Sequence, residues 1–125
     1  MAWSGWRVLA TCTKEYSRDI PYDGPACYEL AIGTTPSNRR IVYVGETGNL
    51  RRRLAAYARW GSHLCGSIDG YLAGPAKLYY RYYRTPTKCE ARIKEARLLL
   101  AYPDAYVWNT HKHEAAALAL AAAAA

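Results

Sequence analysis

Two segments in the first half of the chain have the composition of β-strands. Residues 26–32 and 40–46 are rich in β-branched and aromatic side chains, and the connection from Gly33 to Asn38 contains the residue types of tight loops. This pattern predicts an antiparallel hairpin. A further strand is predicted over 77–84, where four tyrosines lie among basic residues.

A helix is predicted directly after the hairpin. Leu50 and Leu54 recur at helical spacing behind Asn49, a residue type that caps helix N-termini well, and a glycine follows at position 61. Asn49, Arg53 and Tyr57 are spaced by four, so they lie on one face of this helix. We expect that face to turn Arg53 back toward the loop after the second strand.

A second helix is predicted from about residue 87 to about residue 102, with Thr87 and Glu90 in the positions of a capping box. Glu95 falls on its apolar face, where a carboxylate is costly unless it meets a cation or a hydrogen-bond donor. Two interpretations stay open from these residues alone. Glu95 is either in a buried salt bridge with Arg92 or Arg53, or a ligand for a divalent metal ion.

The chain is predicted to form one main domain, because 125 residues can bury a modest hydrophobic core. We expect residues 25–110 to form this domain. Residues 1–24 are expected to be an N-terminal arm or to add an extra strand near residues 6–10. The tail, residues 111–125, is mostly alanine and is either a helix or a segment foreign to the native protein.

The positive charge of the chain is concentrated in one stretch. The net charge is +7, and Glu46 is the only acidic residue between positions 39 and 59. A concentrated basic patch is typical of proteins that bind a polyanion, so nucleic acid is the expected partner. Five arginines are predicted to contact the phosphates of DNA: Arg39, Arg40, Arg51, Arg52 and Arg59.

The cysteines and the hydropathy pattern narrow the class of protein further. The four cysteines are far apart and include no Cys-x-x-Cys pair, so no zinc site is predicted. Their spacing favours a reducing, cytoplasmic location. No apolar run has the length of a signal peptide or a membrane span, so no membrane association is expected.

An ordered set of residues resembles the GIY-YIG nuclease family. The two triplets that give the family its name read Ala26-Cys27-Tyr28 and Tyr43-Val44-Gly45 here. Six positions match residues of the family's active site: Tyr28, Tyr43, Arg53, Tyr57, Glu95 and Asn109. The chain departs from the family pattern at Ala26, which replaces the first glycine, and at Glu46, where relatives often have lysine or serine.

The resemblance implies a small α/β (α+β) domain in which a three-stranded antiparallel sheet is flanked by helices. It also implies an endonuclease that hydrolyses phosphodiester bonds in DNA with one Mg²⁺ or Mn²⁺ ion. With no second domain evident, we expect weak sequence specificity, with dimerisation or an accessory DNA-binding partner supplying more. The alternative is a binding module that kept the fold and lost the chemistry, with RNA as a minor alternative substrate.

The resemblance also assigns a role to each matched position. Glu95 would hold the metal ion, and Arg53 would bind the scissile phosphate. Tyr28, assisted by Tyr43, would position or deprotonate the attacking water. A tyrosine on the first helix, Tyr57, would support these groups. The late asparagine, Asn109, would brace them by hydrogen bonds.

Overall fold

The computed structural model describes residues 2–11, 16–58, 68, 72 and 76–109. Within these ranges four strands form one antiparallel sheet in the order β1-β4-β2-β3, with two α-helices of eight or more residues. The elements are β1 (Arg7–Ala10), β2 (Ala26–Gly33), β3 (Arg40–Thr47), α1 (Leu50–Ala58), β4 (Lys77–Arg84) and α2 (Lys88–Ala101). The predicted class, a small antiparallel α+β domain, is confirmed, but the sheet has four strands rather than three.

The fourth strand comes from the N-terminal segment. Arg7 pairs with Tyr80 and Val8 with Tyr79, so β1 lies on the outer edge of β4. Of the two alternatives for this segment, an arm or an extra strand, the structure has the strand. Only Leu9 and Ala10 of its four residues are buried, and this leaves too short an apolar pattern to predict the strand from sequence.

The hairpin of β2 and β3 contains a β-bulge. Leu30 pairs with Tyr43 and Ala31 with Ile41, which leaves Val42 as an extra residue in β3. In a regular strand Val42 and Tyr43 would point to opposite faces. Here both belong to the hydrophobic cluster that contains the α1 residues, because a bulge shifts the alternation by one residue.

The sheet has a hydrophobic cluster on each face. The larger cluster joins the sheet to α1 through Leu50, Leu54 and Tyr57. The smaller one joins it to α2 through Ala96 and Leu99. The hairpin that carries both motif tyrosines is therefore held between two helices.

Capping hydrogen bonds fix where both helices begin. The Asn49 side-chain Oδ1 accepts from the backbone N–H of Arg52 at 3.0 Å, and the Thr87 hydroxyl accepts from the backbone N–H of Glu90 at 3.2 Å. Each bond satisfies a donor that has no partner within its helix. No α-helix in the described residues is both long and apolar enough to cross a membrane.

A buried ionic network ties the sheet to the segment after α2. Glu29 in β2 is buried, and Arg81 in β4 donates to its Oε1 from Nε at 2.7 Å. The Tyr106 hydroxyl donates to Glu29 Oε2 at 2.5 Å. Both carboxylate oxygens are thus satisfied, which a buried charge requires.

Tyr106→Phe is expected to destabilise the protein. The change keeps the ring but removes the hydroxyl that donates to buried Glu29, and a hydrogen bond to a charged group contributes about 1.5–3 kcal/mol. Urea denaturation measures the loss in the free energy of unfolding. Tyr102→Phe is the matched control, because that side chain is 58% exposed. Equal effects of the two substitutions would contradict this account of the network.

Candidate active site

A polar cleft opens beside the edge strand β3. Its volume is about 270 Å³, and four elements contribute its walls. The lining residues are Tyr28 from β2, Tyr43, Glu46 and Thr47 from β3, Arg53 from α1, and Lys88 and Glu95 from α2. Four of the six residues matched to the family's active site therefore meet in one cavity.

The Tyr28 hydroxyl is the centre of a hydrogen-bonded group. It lies 2.8 Å from the Tyr57 hydroxyl in the buried interior, and Arg53 Nε donates to it at 3.2 Å. The Arg53 guanidinium also lies over the Tyr57 ring, 5.7 Å from its centroid. Since Arg53 and Tyr57 are one helical turn apart on α1, one helix face holds both partners of Tyr28.

Tyr43 completes the tyrosine pair on the neighbouring strand. Its ring centroid lies 6.2 Å from that of Tyr28, with the planes tilted by 41°. Arg53 also forms a hydrogen bond with the Tyr43 side chain. A single cation therefore links the two tyrosines of the cleft.

The glycine of the second triplet makes room for Tyr28. Gly45 is directly opposite Tyr28 in the pairing of β3 with β2. A Cβ atom at position 45 would lie 2.5 Å from both Cζ and the hydroxyl oxygen of Tyr28. Only a residue without a side chain allows the phenol to lie against this backbone.

The site tyrosines remain protonated at neutral pH. Burial raises the pKa of Tyr28, against the opposing effect of the Arg53 charge. Burial also raises the pKa of Tyr43 and of Tyr57, in both cases with Tyr28 as the next contribution. These side chains therefore act as neutral hydrogen-bonding groups and not as phenolates.

Glu95 reaches the cleft from the buried face of α2. The residue is 8% exposed, and its neighbours on that face, Ala91, Ala96 and Leu99, are buried as well. Arg92 was one of the two predicted salt-bridge partners of Glu95. Its Nε atom lies 3.9 Å from Oε1 of Glu46. Glu95 is thus an acidic group on an apolar helix face that borders a polar cavity.

Asn109 contacts the strand that carries Tyr43 but does not line the cleft. Its Oδ1 accepts from the Val44 N–H at 3.0 Å, and its Nδ2 donates to the Val44 carbonyl at 2.9 Å. The Trp108 N–H donates to the Val42 carbonyl at 2.9 Å. The side chain thus pairs with the free backbone edge of β3 much as a peptide group of another strand would.

Three cleft residues were not among the predicted site residues. Glu46 and Thr47 follow the second triplet directly, and Glu46 appeared only as a departure from the family pattern. Lys88 precedes Glu95 by seven residues, which is two helical turns, so it lies on nearly the same face of α2. That spacing was a usable signal for Lys88.

The described arginines among those predicted to bind DNA have different surroundings. Arg52 is exposed at the start of α1, whereas Arg51 Nε donates to the Ile20 carbonyl at 3.0 Å. The Arg39 guanidinium contacts two aromatic rings, with its Cζ atom 4.8 Å from the ring centroid of Trp6 and 5.1 Å from that of Tyr79. Arg40 begins β3 and is therefore at the far end of that strand from the cleft, and Arg59 lies outside the described residues.

Comparison with protein-family models identifies the class. The model described as GIY-YIG domain-containing protein matches residues 3–73, which is more than half of the chain. The chain therefore belongs to the GIY-YIG family, whose domains are nuclease-type hydrolases that act on DNA and typically use divalent metal ions. The matched range includes the tyrosines and Arg53 and ends before Glu95. Searches of curated proteins and of solved structures gave no match.

Gly45→Ala is expected to displace the Tyr28 ring and to reduce both stability and activity. Overpacking of a filled interior costs about 1–3 kcal/mol, and a misplaced catalytic group can lower turnover by roughly a hundredfold. Thermal denaturation and a DNA cleavage assay measure the two effects.

Gly48→Ala is the matched control, because among the described residues its added Cβ would meet nothing closer than Lys88 Cδ at 3.7 Å. If alanine is tolerated equally at positions 45 and 48, the contact between Tyr28 and Gly45 does not constrain the site.

Proposed function

We propose that this protein is a metal-dependent endonuclease that hydrolyses phosphodiester bonds in DNA. The observation that carries the proposal is the convergence of Tyr28, Tyr43, Arg53 and Glu95, from four different elements, on one polar cleft. Two tyrosines, a cation and a carboxylate supply groups for water, phosphate and a metal ion. A module that only bound nucleic acid would have no use for a carboxylate in that cavity.

In this proposal Arg53 binds the scissile phosphate. A guanidinium is always charged and carries five N–H donors, so it can bond Tyr28 through Nε and still present other donors to phosphate oxygens. Charge that develops on those oxygens in the transition state strengthens the contact and so lowers the barrier. Tyr57 supports this arrangement through its hydrogen bond to Tyr28.

Tyr28 and Tyr43 are proposed to position the attacking water. Because burial raises the pKa of both phenols, neither supplies a standing base at neutral pH. Proton transfer from the water would then be concerted with its attack on phosphorus. Asn109 acts at a distance by fixing the backbone of Val44, next to Tyr43.

Glu95 is proposed to hold Mg²⁺ or Mn²⁺. The donor set fits these ions, because a cleft carboxylate combined with water and substrate phosphate is a common way to bind Mg²⁺. The described residues contain no group of three or more His, Cys, Asp or Glu side chains that are placed to hold a metal ion together, so in this proposal water and substrate phosphate contribute to the coordination. When bound, such an ion polarises the phosphate and stabilises the leaving oxygen.

Glu95→Ala is expected to abolish metal-dependent cleavage while the protein stays folded. The assay incubates the purified protein with supercoiled, branched and single-stranded DNA and with RNA, in Mg²⁺, Mn²⁺ or EDTA. Glu90→Ala is the matched control, because Glu90 lies on the same helix and is exposed. Full activity of the Glu95 variant would refute the assignment. Absence of cleavage by the wild-type protein under all conditions would favour a binding module.

Arg53→Ala is expected to lower turnover by roughly a hundredfold or more, the scale of removing one oxyanion donor, with a modest change in DNA affinity. Arg53→Lys should also be impaired, because lysine lacks the planar fork that grips two phosphate oxygens.

Arg52→Ala is the comparison, since Arg52 is exposed on the same helix. It should weaken binding and flatten the salt dependence by about one phosphate contact, with saturated turnover nearly intact. Binding at several salt concentrations and single-turnover cleavage separate the two cases. Identical behaviour of the two arginines would make Arg53 part of a general basic surface.

A further inference from the structure

A second carboxylate lies in the cleft without a full set of partners. Glu46 follows Gly45 on β3, and its side chain is 18% exposed. Its Oε2 atom is buried and has no hydrogen-bond partner among the residues that the structure describes. Its Oε1 atom lies 3.9 Å from Arg92 Nε, on a side chain that is 60% exposed.

The contact with Arg92 does not offset the cost of burying the Glu46 carboxylate. At 3.9 Å it is too long for a hydrogen bond, and an ion pair on an exposed arginine is screened by water and salt. The buried carboxylate of Glu29, on the neighbouring strand, has a donor for each oxygen. Arg81 donates to one oxygen at 2.7 Å, and the Tyr106 hydroxyl donates to the other at 2.5 Å. A buried oxygen with no donor is costly, so the Oε2 atom, which has no partner in the described part of the chain, is available to a ligand.

Glu46 and Glu95 both face the same cleft. Both line the cleft, one from β3 and one from α2. The cleft therefore brings two negative side chains toward one place.

We infer that Glu46 is a second ligand of the divalent cation, so that this cleft holds the ion through two carboxylates, from β3 and α2. This inference rests on the proposed function, which gives the metal to Glu95. Two carboxylates, with water and a substrate phosphate at the remaining positions, suit Mg²⁺ and Mn²⁺. The cation supplies the partner that the Oε2 atom lacks, and Arg92 competes weakly with it for the carboxylate.

The test measures binding of Mn²⁺ to the DNA-free protein, from the loss of the free-ion signal in electron paramagnetic resonance. Wild type is compared with Glu46→Gln, Glu95→Gln and the control Glu90→Gln. Loss of either proposed ligand should weaken Mn²⁺ binding at least about tenfold, a change that even outer-shell partners of a metal can cause. The control should bind as wild type does. Arg92→Ala should bind Mn²⁺ at least as tightly as wild type, because a competitor is removed.

Thermal denaturation gives a second readout that does not depend on activity. Without metal, Glu46→Gln should melt at or above the wild-type temperature, because a buried charge without a full partner has been neutralised. With Mn²⁺, its stabilisation should be smaller than that of wild type, since a ligand stabilises only the state that binds it. A structural ion pair with Arg92 predicts the opposite: a lower melting temperature for Glu46→Gln and Arg92→Ala alike, with no change in Mn²⁺ affinity.

The outcomes separate this inference from the proposed function. If Glu95→Gln loses Mn²⁺ while Glu46→Gln keeps wild-type affinity, the second ligand is refuted and the metal role of Glu95 stands. If wild type binds Mn²⁺ no better than either variant, both assignments fall. Weaker binding by Glu46→Gln and Glu95→Gln, with Glu90→Gln unchanged, supports the two-carboxylate site.

Discussion

The ring of Tyr28 lies against the backbone of Gly45, and the arrangement of the cleft depends on this contact. The two residues face each other across the hairpin, at a distance that leaves no space for a Cβ atom on the glycine. The phenol is thereby directed to one position, where its hydroxyl meets Tyr57 and Arg53. If the ring moved, α1 would lose its polar contact with β2, and Arg53 would lose the group that orients it.

The regular part of β3 works together with that contact. From Tyr43 to Thr47 the strand pairs with β2 without a shift, so Tyr43 and Gly45 lie on the same face of the sheet as Tyr28. The bulge comes just before this part and adds Val42 to the cluster on that face. Glu46 reaches the cleft from farther along the same strand, so the end of β3 supplies both a tyrosine and a carboxylate to a single cavity.

Much of the fold could be predicted from sequence because each element carries a local signal. The apolar runs of β2 and β3 and the caps at Asn49 and Thr87 are local features, and the structure has elements where they indicate them. Whether residues 7–10 form a strand could not be decided from sequence, because β1 is short and is stabilised by pairing with β4 and not by a hydrophobic pattern of its own. The bulge was not visible either, because residues 41–44 are uniformly apolar and fit either register.

The site was predicted only in part, for a related reason. Tyr28, Tyr43, Arg53 and Glu95 line one cleft, but whether a neighbouring residue also reaches it depends on how separate elements meet. Glu46 on β3 and Lys88 on α2 both line the cleft because of how these two elements pack together. For the basic residues, closeness in sequence did not mean closeness in space. Arg39 and Arg51 belong to one charged stretch of sequence but contact different parts of the fold.

The hydrogen bonds between Asn109 and Val44 have a consequence for folding during synthesis on the ribosome. The two residues are 65 positions apart, so the hairpin with both motif tyrosines is synthesised long before the asparagine that fastens its edge. Until then the edge of β3 at Val44 stays open, and the long loop to Asn109 has yet to close. The cavity itself also waits for α2, which supplies Lys88 and Glu95. A nascent chain that has emerged only as far as the hairpin therefore has neither the second wall of the cleft nor the bond that fastens its edge strand.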